Sequence, residues 1–187
     1  YNGPNPISDL AVYNPSTSDW YIRTMAGASV AFPVKWGFNN VLPVPGDFDG
    51  DGQADLGVYD RDNGSWYIYS LAAGTVLANN RNWGWWEALP VLGDFDGDGA
   101  TDLGVYHRET GNWYIQSMNG TVIAAPINWG WREAVPVPAD YDGDGTTDLA
   151  VYYRPTGSWY IRTVAGASLA FNFNWGFKNA WPVPADY

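Results

Sequence analysis

Cysteine is absent from this chain of 187 residues, which excludes a disulfide framework and any thiolate zinc site. Histidine occurs once, at His107, so no histidine-rich metal cluster can form. Neither a nucleophile elbow nor a phosphate-binding loop is present. Basic residues number only nine against 20 acidic ones and form no run, which argues against nucleic acid as a partner. No apolar stretch approaches the roughly 18 residues of a membrane-spanning helix. Helical periodicity is missing too, since no window places apolar residues at a persuasive 3.6-residue spacing. The first residue is Tyr1, not Met, and no signal peptide stands in the sequence. A processed mature protein or an excerpt of a longer one is expected on that ground.

What the chain does have is one acidic loop written three times, as DFDGDGQAD at 47–55, DFDGDGATD at 94–102 and DYDGDGTTD at 140–148. Each copy sets aspartates at positions 1, 3, 5 and 9 and glycine at position 6. Carboxylates this crowded repel one another unless a cation lies among them. A hard divalent ion that takes about six to eight oxygen ligands, calcium above all, meets that need. Glycine lets the backbone turn, so that the carbonyl of position 7 can also face the ion. Asp-Gly segments are also ordinary turn formers, but the position-9 aspartate returns every time. An EF-hand is excluded because position 12 is Val58, Val105 or Val151 instead of glutamate. These loops hold twelve of the 20 acidic residues, and three bound dications would roughly halve the net charge of −11.

The loops belong to a larger period. Leu10, Leu56, Leu103 and Leu149 are spaced by 46, 47 and 46 residues. Trp20, Trp66, Trp113 and Trp159 keep step, as do Trp36, Trp83, Trp129 and Trp175, and Pro43, Pro90, Pro136 and Pro182. Four units result, at approximately 1–46, 47–93, 94–139 and 140–187, read together as a single domain. Within a unit, DLGVYD (55–60), GSWYIYSL (64–71), GTVLANNRNWG (74–84) and LPVLGDFD (89–96) read as strands separated by turn punctuation. Four short strands repeated every 46 residues or so are the mark of β-propeller blades. Bulky residues on both strand faces agree, because a blade is sandwiched between its neighbours.

The unit PVPGDFDGDGQADLGVYD…GSWYIYS…NWG resembles the FG-GAP or VCBS-type repeat of secreted bacterial proteins, a distant relative of the calcium-loop blades of integrin α subunits. The resemblance covers essentially the whole chain. It implies that each loop is a hairpin between the first and second strands of a blade. It implies calcium, about three ions, at Asp47, Asp49, Asp51 and Asp55; at Asp94, Asp96, Asp98 and Asp102; and at Asp140, Asp142, Asp144 and Asp148, with the carbonyls of Gln53, Ala100 and Thr146 completing the shells. The chain stops at PVPADY where a further loop would begin, and starts at YNGPNPISDL where one would end. Joined in space, Asp186, Asn2, Asn5 and Asp9 make a degenerate fourth site that has lost negative charge. This phase predicts an all-β propeller of four blades, four antiparallel strands each, closed by a blade shared between the N- and C-terminal strands. Two chains making an eight-bladed ring, or part of a seven-bladed one, are the rival arrangements.

Twelve tryptophans and 13 tyrosines raise a carbohydrate-binding reading, since sugar rings stack on aromatic faces. The tryptophans that recur in every unit are expected in the inter-blade core. Trp85, Trp86, Trp131 and Trp181 do not recur and are the better ligand candidates, with Arg132 beside them. Sequons at Asn63-Gly64-Ser65 and Asn119-Gly120-Thr121 are possible glycosylation sites at hairpin tips. His107 stands where other units carry Asn14, Asp60 or Tyr153, which reads as an ordinary surface position. Paired loop aspartates are accounted for by metal, so catalysis is not expected. The expected role is that of a calcium-binding, extracellular adhesion or scaffold module with protein or glycan partners at a cell surface or matrix, self-assembly included. A lectin propeller, and an accessory domain or half-ring of a larger secreted protein, are the alternatives.

Overall fold

A computed structural model describes residues 8–185. All of its regular structure is β, in 15 strands among the described residues. Sheet order follows the sequence period. The first sheet has three strands, β1 (Leu10–Asn14), β2 (Asp19–Arg23) and β3 (Ser29–Lys35), in the order β1-β2-β3. The next three have four strands each. They are β4 (Val41–Pro43), β5 (Leu56–Asp60), β6 (Ser65–Ser70) and β7 (Thr75–Asn82); β8 (Leu89–Gly93), β9 (Asp102–His107), β10 (Asn112–Gln116) and β11 (Val122–Asn128); and β12 (Ala134–Pro136), β13 (Leu149–Tyr153), β14 (Ser158–Arg162) and β15 (Ser168–Asn174). Every sheet is an antiparallel meander, consistent with a propeller-like fold. The strands read from the second unit of the sequence are present at their expected places.

The expected four strands per sheet are not reached in the first sheet. Among the described residues β1 pairs with β2 alone, while β5, β9 and β13 are each paired on both edges. Among the described residues, 181–185 carry no strand. The chain divides into two compact units, Tyr1–Trp86 and Glu87–Tyr187.

The second strand of a sheet is the hydrophobic centre wherever both of its faces are covered. Every residue of β5 is buried, as are the first five of β9 and the first four of β13. In the first unit Trp20, Val41, Leu56 and Val58 form one core cluster, joined by Val34 and Trp36. In the second, Trp113, Ile115, Leu149 and Val151 do the same, joined by Ile127 and Trp129. The repeating tryptophans are tied in pairs by an indole bond. Trp20 Nε1 donates to the Trp36 carbonyl at 2.9 Å, Trp66 to Trp83 at 2.9 Å, Trp113 to Trp129 at 2.7 Å and Trp159 to Trp175 at 2.9 Å. The indole is thus buried with its polar edge satisfied. Trp20, Trp66 and Trp113 are buried as expected for inter-blade core, and Trp159 is half-buried.

A bulge interrupts the last strand of each sheet (β3, β7, β11 and β15) between its pairings to the tryptophan and the isoleucine of the strand before it. Asn80 and Asn172 take it up in the left-handed region, at φ 58° and 55°. Pro33 and Pro126 hold the same place in the other repeats. Tyr67 and Tyr160 fasten the asparagine version, donating their hydroxyls to Asn80 Oδ1 and Asn172 Oδ1 at 3.0 and 3.1 Å.

Candidate functional site

Each acidic loop is the connection between a short first strand and the buried second strand of a sheet. Bridges Gly46–Asp55 and Ala139–Asp148, and the terminal pair Gly93–Asp102, close its base. The aromatic residue at position 2 pins it from below, with Phe48 and Phe95 buried and the Tyr141 hydroxyl donating to the Val137 carbonyl at 2.8 Å. Both glycines of each DGDG turn sit at positive φ, between 73° and 91°. The position-4 glycine is therefore as necessary as the position-6 glycine singled out in the sequence.

Folded this way, the loop wraps its backbone amides around its own carboxylates. Asp47 accepts from Asp51 N at 3.1 Å and Gly52 N at 2.8 Å. Asp94 accepts from Gly97, Asp98 and Gly99 N, and Asp140 from Gly143 and Gly145 N. The position-9 carboxylate takes the amide of position 2, with Phe48 N to Asp55 Oδ2 at 2.8 Å, Phe95 N to Asp102 Oδ2 at 2.7 Å and Tyr141 N to Asp148 Oδ2 at 2.9 Å.

The outcome is a triplet in each loop: Asp47, Asp49 and Asp55; Asp94, Asp96 and Asp102; Asp140, Asp142 and Asp148. Within a triplet, one carboxylate oxygen from each residue lies within 4.8 Å of the others. The structure thus brings together positions 1, 3 and 9 of the predicted ligand set. Position 5 is turned differently. Asp51 Oδ1 accepts from Gln53 N at 2.8 Å and Asp98 Oδ1 from Ala100 N at 2.9 Å, while Asp144 Oδ1 takes both Thr146 N at 2.8 Å and the Thr146 hydroxyl at 2.6 Å. In every loop, position 7 presents its amide to position 5. Of the degenerate fourth site, Asp9 is exposed, while Asn2, Asn5 and Asp186 lie outside the described residues.

The electrostatics are those of a site short of positive charge. Burial raises the Asp55 carboxyl to about 6; the Phe48 amide opposes this, Asp49 and Asp47 add to it, and the Ser70 hydroxyl lowers it. Asp102 is pushed to about 7 by burial first, then by Asp96, Asp94 and Asp98 against the Phe95 amide. Asp148 rises for the same reasons, burial leading. Asp144 moves the other way, held down by the hydroxyl and amide of Thr146. Asp148 is fully buried, and its Oδ1 accepts no hydrogen bond among the described residues. A buried carboxylate oxygen left bare beside two further carboxylates is a costly arrangement without a cation. Oxygen-only donors of this kind suit a hard divalent ion.

The proposed ligand residues have distinct local surroundings. Trp85 is half-buried and takes the Tyr59 hydroxyl on its carbonyl at 3.3 Å. Trp86 is exposed. Arg132 pairs with Glu109 at 3.3 Å, both exposed. The Arg154 guanidinium stacks on Trp181 at 3.9 Å. Trp131 lines a cavity of about 190 Å³, shared with Asn128, Trp129, Gly130, Tyr160 and Phe171. A cavity of about 210 Å³ at the equivalent place in the first unit is lined by Lys35, Trp36, Gly37, Phe38, Tyr67 and Asn79. In both, an aromatic residue two positions after the turn tryptophan meets a tyrosine edge-on, Phe38 against Tyr67 at 5.0 Å and Trp131 against Tyr160 at 4.9 Å. The sequence showed each of these residues but not that they would meet. The sequon asparagines Asn63 and Asn119 are exposed in strand-connecting turns, where their side chains accept from Ser65 N and from the Ser117 and Thr121 groups. His107 Nδ1 shares a hydrogen bond with the Thr110 hydroxyl at 2.8 Å.

Comparison with known proteins agrees with the fold. No curated protein matches the chain. A crystal structure of a protein of unknown function from Bacteroides caccae is similar in fold, with a TM-score of 0.53 at 11% identity over 82% of this chain. The chain spans about half the length of that protein, 53%. Residues 94–151, one whole acidic loop with the blade that follows it and the next loop, match the family model for the FG-GAP-like repeat. The chain therefore carries an FG-GAP-like repeat, and the sheets on either side of that segment repeat its pattern.

Proposed function

We propose that the chain is a calcium-binding, non-catalytic interaction module built of propeller blades. The observation that carries this is the buried Asp148 carboxylate, with an unpartnered Oδ1 in a triplet of acidic oxygens that recurs in three loops. Asp47, Asp49 and Asp55 would hold one ion, Asp94, Asp96 and Asp102 a second, and Asp140, Asp142 and Asp148 a third. The position-5 aspartates and the carbonyls of Gln53, Ala100 and Thr146 are the further oxygens each loop has to offer. The ion would supply positive charge and nothing else; the residues do the rest by fixing the hairpin that leads into each buried strand. Calcium loops of this type suit surroundings outside the cell, where calcium is abundant. A four-bladed ring belongs to the same reading, as does a role in adhesion or scaffolding, alone or as part of a longer secreted protein. Titration of calcium-stripped protein by calorimetry tests the metal: about three sites of oxygen-ligand affinity are expected. No heat of binding, together with a melting curve unchanged by chelator, would end the reading.

A second reading, carbohydrate binding, draws on the paired cavities at Trp36 and Trp129. Both are smaller than the roughly 300–1,000 Å³ of a drug-sized site and offer aromatic faces edged by Lys35 and Asn79 or by Asn128. A single sugar ring fits that chemistry. A glycan array read by tryptophan fluorescence, repeated on Trp131→Ala, decides it: saturable quenching lost in the variant supports the reading, and no quenching by any glycan removes it.

A further inference from the structure

Position 8 of the acidic loop belongs to no ligand set, and is Ala54, Thr101 or Thr147 in the three copies. In the third loop Thr147 reaches out of its own hairpin to the start of the second. Its amide donates to the Asp94 carbonyl at 2.6 Å, and its hydroxyl oxygen accepts from the Asp94 amide at 3.0 Å. Both backbone groups of Asp94 are thus held by one residue 53 positions further on. The fit is close. A Cβ on Gly93 would lie 2.5 Å from Thr147 Cγ2, and one on Gly97 would lie 3.0 Å from Thr146 Cγ2. Both loops lie within the unit Glu87–Tyr187.

Asp94 is position 1 of its triplet, and its carboxylate already takes the amides of Gly97, Asp98 and Gly99. Thr147 directly precedes Asp148, position 9 of the other triplet, whose Oδ1 is buried and bare. One dipeptide therefore serves both sites: its first residue fixes the backbone of one ligand, and its second is a ligand of the other. Repulsion within a metal-free triplet works to open its hairpin, and opening the third loop pulls Thr147 off Asp94. An ion in either loop removes that repulsion and fixes the contact, so the ion that follows meets a loop already ordered. We infer that the Asp94–Asp102 and Asp140–Asp148 sites bind calcium cooperatively, with Thr147 as the positioning residue that couples them. The inference rests on the calcium reading of the loops.

Charge opposes the coupling, because a filled loop attracts a second cation less than an empty one does. Salt at about 0.15 M limits that opposition, since exposed charges are then screened over about 8 Å. The Thr147–Asp94 contact is between half-buried residues, where screening is weaker. Coupling of this kind is reciprocal, so emptying the second loop weakens the third by the same factor as the reverse.

Amide NMR of isotope-labelled protein, titrated with chelator-buffered calcium in salt of that strength, is the measurement. The Gly99 and Gly145 amides donate to the Asp94 and Asp140 carboxylates at 2.9 and 3.0 Å, so each signal reports its own loop. Asp96→Asn, which weakens the second site, is expected to raise the calcium midpoint of Gly145 about fivefold or more. With Thr147→Val, which removes the hydroxyl, that factor should fall below about twofold, and Thr147→Ser should restore it. Gly93 lies outside the left-handed region, and the nearest neighbours of a Cβ there are all Thr147 atoms. Gly93→Ala should therefore act like Thr147→Val, from the other side of the contact. A Gly145 midpoint untouched by Asp96→Asn overturns the coupling and leaves the calcium reading in place. An unchanged factor in Thr147→Val or Gly93→Ala overturns the role of Thr147, which is then structural only. Glycine signals that do not respond to calcium at all end the calcium reading, and the coupling with it.

Discussion

Asp148→Asn separates a structural carboxylate from a metal ligand, because the two roles predict opposite signs. In calcium-stripped protein, Asp148 is a buried charge beside Asp140 and Asp142, with Oδ2 satisfied by the Tyr141 amide and Oδ1 by nothing. Asparagine keeps an oxygen for Tyr141 and turns an amide donor toward those acidic oxygens. An unsatisfied buried acceptor costs about 1–3 kcal/mol. Relieving it should raise Tm by about 2–12 °C, at roughly 2–4 °C per kcal/mol for a chain of this size. In calcium the same substitution removes a charged ligand. A site filled at about 100 times its Kd contributes about 2.7 kcal/mol, so loss of that site should lower Tm by about 5–11 °C at the same conversion. The assay is a melting curve of both proteins in excess chelator and in millimolar calcium, followed by tryptophan fluorescence. A variant less stable than wild type in both buffers, by similar amounts, refutes the reasoning: Asp148 would then be a turn-forming residue and no more.

Other expectations follow from the same geometry. Asp55 and Asp102 titrate near about 6 and about 7 in the folded chain, above the ordinary 3.8. The metal-free fold therefore holds their protons more tightly than the unfolded chain does. Their stabilising contribution is full below the unfolded value and is lost as pH rises through 6 to 7. Calcium-stripped protein should melt higher at about pH 5 than at about pH 8, and saturating calcium should invert that order because protons compete for the ligands. Equal slopes with and without calcium would contradict it. Glycines of the turns should also differ. A Cβ on Gly111, at φ 73°, would lie 2.1 Å from the Gly130 carbonyl carbon, whereas one on Gly99, at φ 91°, meets nothing within 4 Å. Gly99→Ala should cost only the left-handed conformation, about 1–2 kcal/mol, and Gly111→Ala clearly more in a denaturant titration; equal losses would show the close approach to be wrong.

Much of the fold was legible because the features that specify a blade are local. The alternation in DLGVYD and GSWYIYSL, the DGDG turns and the recurrent tryptophans all act within about 50 residues of one another, which is the regime where sequence pattern determines structure. The acidic triplets were legible for the same reason, each being contained in nine residues. Position 5 was less so. Asp51, Asp98 and Asp144 are indistinguishable from ligands by type and spacing, but each is two residues before a backbone amide it can take, and that short-range bond competes with coordination. The cavities were legible only through one of their residues. Trp131 stood out as a ligand candidate by type, but nothing near it or Phe38 in sequence shows that Tyr67 and Tyr160 arrive from the following sheet, 29 residues on in each case.

Burial shows the limit most sharply. Leu10 and Leu56 occupy the same place in the same motif, and a reading by repeat assigns them the same burial, yet one is 53% exposed and the other 1%. Nothing in either blade makes the difference, because burial of a blade face is a property of its neighbour. In repeat architectures stability is a sum of the units and the interfaces between them, and terminal units normally carry a polar outer face. The first sheet leaves Leu10 and Val12 exposed, and the last leaves Phe173 and Trp175 exposed, although the repeat assigns all four to the register of the core.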